Sequence, residues 1–180
     1  LLLDSLDGDR AALLAFSGDA REVAPLTRDK NALRWFLTTM GPEDNRRGGT
    51  DLGLALEHAL ELFDGRTGAH EAIVLLTDGE NNAGQIEPMD AAQLANLNNI
   101  RVYTIGVGTV GKAKSPVAIL PNGQYKYDWV DVRIDEDVLQ GMASLTGARY
   151  FRATNADKLK EIYREIDTLE KTEFNVLKYQ

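Results

Sequence analysis

Apolar residues recur along the chain in two rhythms. Mostly apolar runs mark buried strands at Ala11–Phe16, Ile73–Thr77 and Arg101–Val107. The uninterrupted run at Ile73–Thr77 suits a parallel strand covered on both faces. Between them the spacing shifts to three and four. Residues 29–40 set Leu33, Phe36, Leu37 and Met40 on one helical face, and residues 51–63 do so with Leu52, Leu56, Ala59, Leu60 and Phe63. Pro88 suits the first turn of a helix that runs to near Asn98. Asp135 caps a helix ending at Gly147. Asn155 caps a last one, with Leu159, Ile162, Tyr163, Ile166 and Leu169 on its apolar face. Arg149–Ala153 reads as a final strand, Glu22–Ala24 as a short polar edge strand, and residues 41–49 as a loop rich in breakers.

Strands and helices therefore alternate, which predicts an α/β fold with a mostly parallel central sheet flanked by helices. Residues 109–134 break the rhythm. Asn122-Gly123 stands between extended segments, so a β-hairpin insertion is expected around 112–134. Tyr125, Tyr127 and Trp129 on it read as cross-strand packing pairs in preference to a contact patch. "LLLDSL", at the start of a chain without an initial Met, reads as the tail of a helix and suggests a piece of a longer protein.

Composition narrows the function. The 180 residues suit one domain, and a core of that size removes roughly 70% of the unfolded surface from water. A net charge of −8 repels phosphate backbones and argues against nucleic acid. Cysteine is absent, which excludes disulfides, thiolate metal sites and a Cys nucleophile. His58 and His70 show no ligand spacing, and Ser17 has no His partner in the pattern. No run approaches the ~18 apolar residues of a membrane helix, and no signal peptide is visible.

In open parallel sheets ligands gather at the carboxyl ends of the strands. "TDGEN" at 77–81 arrives there after a strand, and "GGTDLGLAL" at 48–56 arrives at the start of a helix. They bring Thr50, Asp51, Asp78 and Glu80. Hydroxyl and carboxylate oxygens without His or Cys suit a hard cation such as Mg²⁺. The same residues also read as a helix cap, Asp51 above all, and as a turn after a strand. "GVGTVG" at 106–111 matches the spacing of a dinucleotide-binding loop, but "KAKSP" follows where a helix should open, so the match is set aside.

Taken jointly, "GGTDLGLALEHAL", "AIVLLTDGENNAG" and "RVYTIGVGT" resemble three successive landmarks of the von Willebrand factor type A (VWA) family, a Rossmann-like fold. The likeness covers about residues 9–170 and is nearest to the bacterial Bat-type, aerotolerance-associated, membrane-anchored members. It implies a single VWA-like domain over 1–171, with 172–180 an extension toward a membrane stem. It implies a metal-ion-dependent adhesion site with Thr50 and Asp78 among its ligands. Mg²⁺ would be bound there, or Mn²⁺ or Ca²⁺, and a partner protein's acidic residue would complete the shell. The domain would be an interaction module and not an enzyme. It would face the periplasm from the bacterial inner membrane, held there only by segments absent from this chain. It would work beside a MoxR-type AAA+ ATPase and other VWA membrane proteins. The alternative is a Mg²⁺-dependent phosphate- or nucleotide-handling α/β enzyme using Asp78.

The chain departs from the family in one respect. The D-x-S-x-S motif and the first strand that carries it are missing, and "DSLDGD" at 4–9 is no substitute. Three remedies are expected: preceding residues, a strand given by another molecule, or the C-terminal "TEFNVLKYQ", where Phe174 and Val176 alternate with polar residues.

Overall fold

Alternation within the strands decides the layers. The structure, a computed structural model, describes residues 3, 8–41, 48–63, 70–108, 111–119, 125–132 and 134–178. In chain order the elements are β1 (Ala11–Phe16), β2 (Ala20–Thr27), α1 (Lys30–Thr39), α2 (Leu52–Glu61), β3 (Ala72–Thr77) and α3 (Pro88–Leu97). They continue with β4 (Arg101–Val107), β5 (Gly111–Ile119), β6 (Tyr125–Val132), α4 (Glu136–Leu145), β7 (Tyr150–Ala153) and α5 (Ala156–Lys178). β3, β4 and β7 form a parallel sheet in that order. Ile73, Leu75 and Val102 pack with Leu52 and Leu56 of α2, with Ala91, Ala92 and Ala95 of α3 and with Met142 of α4. Val74, Leu76, Tyr103 and Ile105 join the opposite layer, with Ile162 and Ile166 of α5. Each large side chain fully buried this way contributes about 1.5–3 kcal/mol. The α/β reading therefore holds.

Local signals set the helix ends. Asp29 accepts from the Asn31 and Ala32 N–H groups at 2.9 and 3.1 Å. Asp135 accepts from Val138 N–H at 3.2 Å, and Asn155 from Lys158 N–H at 2.8 Å. Two buried threonines fix α4 against β4. The Thr104 hydroxyl donates to the Leu139 carbonyl at 2.8 Å, and the Thr146 hydroxyl accepts from Val102 N–H at 3.0 Å.

The sheet is not continuous. β1 pairs antiparallel with β2, and β3 pairs with β4. Among the described residues no strand joins β1 to β3. α2 lies against both parts, since Phe16 of β1 packs on the cluster that holds Leu52 and Ile73.

Three expectations change. β2 runs eight residues instead of three and passes through Pro25, which an edge strand tolerates because one of its sides needs no N–H partner. Residues 172–178 continue α5, so Phe174 and Val176 belong to a helical backbone and do not supply a sheet strand. Tyr127 and Trp129, opposite Pro116 and Lys114, are 52% and 64% exposed, more open than the expected packing implied. Leu3 is helical and buried against Ala24 and Leu33, as a helix tail would be. The rest of residues 1–7 and the Asn122-Gly123 turn lie outside the described residues.

Candidate metal site

A cavity of about 410 Å³ opens between the carboxyl ends of β1 and β3. Leu14, Phe16 and Ser17 line one wall, Leu76 and Thr77 the other, and Thr50 and Asp78 stand with them. The two residues expected as ligands come from loops 28 positions apart in the sequence, and the fold sets them on one cavity.

A backbone clamp holds those loops together. The Thr50 carbonyl accepts from the N–H groups of Asn82 and Ala83, both at 3.1 Å. Thr50 N–H donates to the Asn82 side-chain oxygen at 2.8 Å, and Leu52 N–H to that of Asn81 at 3.0 Å. Asp51 is 4% exposed and caps α2, accepting from Leu54 N–H at 2.9 Å. Its own N–H donates to the Ser17 carbonyl at 2.7 Å, which ties the end of β1 to the same loop. Asp51 therefore acts as the expected cap. Gly84 lies over its carboxylate at φ +92°, where a methyl group would overlap it. Gly79, at φ +85°, lets the turn after Asp78 pass the Asp135 backbone, since an added Cβ would stand 2.9 Å from the Asp135 carbonyl oxygen.

Asp78 is half-buried, and its carboxylate accepts from Glu80 N–H at 3.3 Å. Glu80 is exposed and accepts from the Asn82 amide at 3.3 Å, so it supports the turn and does not line the cavity. Ser17 does line it, with its hydroxyl donating to Asp19 at 3.0 Å. Its position at the end of a strand was the one available signal. Among the described residues no group of three or more His, Cys, Asp or Glu side chains could hold a metal ion. Among the described residues, the side-chain oxygens on the cavity are those of Ser17, Thr50, Thr77 and Asp78, which suit a hard cation in kind.

The loop after β4 is pinned differently. Arg152 donates to the carbonyls of Gly106 and Gly108 at 3.2 and 2.9 Å, and its guanidinium lies 3.8 Å from Glu136. The segment leads into β5, so no helix N-terminus faces it as a dinucleotide would require. Beside it, burial and then the Glu136 carboxylate push the Tyr150 phenol above its usual pKa.

Three features now coincide: a parallel sheet with helices on both faces, a threonine loop, and an aspartate at a strand end. A model of the von Willebrand factor type A domain matches residues 2–165. The chain belongs to the VWA family. BatB from Bacteroides thetaiotaomicron is similar in structure, with a TM-score of 0.81 at 29% identity over 97% of this chain and 83% of that one. An aerotolerance-related membrane protein from Bacteroides fragilis gives 0.76 at 28% identity, over 97% and 83% of the two chains. An uncharacterized protein of Borreliella burgdorferi is 27% identical over 145 residues, which make up 81% of this chain and 42% of the relative. The chain spans about half the length of the curated relatives it matches. These likenesses agree with the Bat-type VWA reading of the sequence.

Proposed function

We propose that this VWA domain is a protein-interaction module, not an enzyme, whose divalent-cation site is incomplete in the chain as it stands. One observation carries the reading: Thr50 and Asp78 line a single cavity between the ends of β1 and β3, which no strand joins among the described residues. A strand paired in that gap, from the same polypeptide or from another molecule, would join the two sheets and bring further oxygens to the ion. Thr50 and Asp78 would then hold Mg²⁺, with Mn²⁺ or Ca²⁺ as substitutes. The ion would supply positive charge for a partner's carboxylate, and the clamp through Asn81 and Asn82 would keep the two protein ligands in place.

Similarity to Bat-type proteins supports a domain that faces the periplasm from the bacterial inner membrane and acts with a MoxR-type AAA+ ATPase or other VWA membrane proteins. Within the described residues no helix is long and apolar enough to cross a membrane. Residues 1–171 would form the domain, and 172–180 would lead from the end of α5 toward a membrane stem.

Calorimetric titration of Mg²⁺ and Mn²⁺ tests the reading. The chain alone should bind neither tightly. A version extended by the missing strand should bind one ion, and Asp78→Ala should abolish that binding. Tight stoichiometric binding by the chain alone would refute the incomplete site. Undiminished binding in the extended Asp78→Ala variant would refute the ligand assignment.

A further inference from the structure

The ribbon of β5 and β6 takes no part in the candidate metal site. Residues 126–129 are all exposed. Trp129 stands opposite Lys114, Tyr127 opposite Pro116, and Asp131 opposite Lys112. Opposed positions share a face, so one face of the ribbon combines two exposed aromatics with two lysine positions. The charge of this segment differs in sign from that of the whole chain. Residues 109–134 hold Lys112, Lys114, Lys126 and Arg133 against Asp128 and Asp131, a net of +2 within a chain of −8.

We propose that this ribbon docks on an anionic phospholipid surface. Tyr and Trp rings are apolar in body and polar at one end, and they concentrate where hydrocarbon meets water. Lysine stems cover apolar surface while their ammonium groups stay in the headgroup layer, where anionic lipids attract them. The proposal is independent of the metal site.

The test uses the whole chain with Trp35→Phe, which leaves Trp129 as the one tryptophan. Vesicles of mixed phosphatidylglycerol and phosphatidylcholine are compared with phosphatidylcholine alone. The expected result is a blue shift of Trp129 emission and co-flotation with the anionic vesicles only, both weakening as salt rises. Lys112→Glu with Lys114→Glu should reduce partitioning by roughly tenfold or more. Tyr127→Ser with Trp129→Ser should abolish co-flotation, while circular dichroism shows every variant folded. Failure to bind, equal binding to neutral vesicles, or binding unchanged in these variants would overturn the proposal. Capture of a polyglutamate peptide without vesicle binding would also overturn it, in favour of an acidic protein partner.

Discussion

Gly84→Ala should destabilise the fold through a residue it touches but does not replace. The new methyl would sit in a backbone at φ +92°, which costs an L-residue about 1–2 kcal/mol. It would also overlap the Asp51 carboxylate and displace a buried helix cap, which is worth about 1–2 kcal/mol. Together these give about 3 kcal/mol. For a chain of this size that is a fall in melting temperature of roughly 6–12 °C. Asp51→Ala alone removes the cap and should cost about 1–2 kcal/mol. The double variant keeps the backbone strain but has no carboxylate left to displace. Its loss should therefore fall short of the summed single losses by about 1 kcal/mol. Urea denaturation of the four proteins measures this cycle. Additive losses, or a Gly84→Ala loss below about 0.5 kcal/mol, would refute the contact between the two loops.

Thr104→Val should cost about 1 kcal/mol in the same assay, because it removes the hydroxyl that donates to Leu139 without opening a void. Burial raises the Tyr163 phenol above 10.0 in the folded chain. The resulting stability is complete below pH ~10 and is lost as pH climbs through the folded pKa. Tyr163→Phe should therefore match the parent near neutrality and lose less stability in denaturation above pH ~10, and parallel curves would contradict the shift. Hydrogen–deuterium exchange should be slowest in β4, which is paired on both edges, and faster in β1. Equal protection of β1 and β4 would mean that the gap is closed in solution.

The helices were legible because their signals are local. Asp51, Asp135 and Asn155 each cap the helix their position announced, and Asp29 caps the helix expected over 29–40. That Thr50 and Asp78 share one cavity follows from no local signal, since alone they look like a cap and a turn. The clamp was not legible at all. Asn82 meets Thr50 across 32 positions and Asn81 meets Leu52 across 29, and spacing carries no record of such pairings. Alternation set Tyr127 and Trp129 on one face of the ribbon, but it says nothing about whether another element covers that face. Phe174 and Val176 show the same limit. Their two-residue alternation reads as a strand, yet the backbone there continues the α5 helix.

If a segment pairs between β1 and β3 as proposed, the chain's stability becomes dependent on concentration. Such a segment would bind the folded chain and not the unfolded one, and would shift the folding equilibrium by mass action. Each tenfold excess of that segment over its dissociation constant adds about 1.4 kcal/mol. The two parts of the sheet, now joined through α2, would then unfold as one cooperative unit.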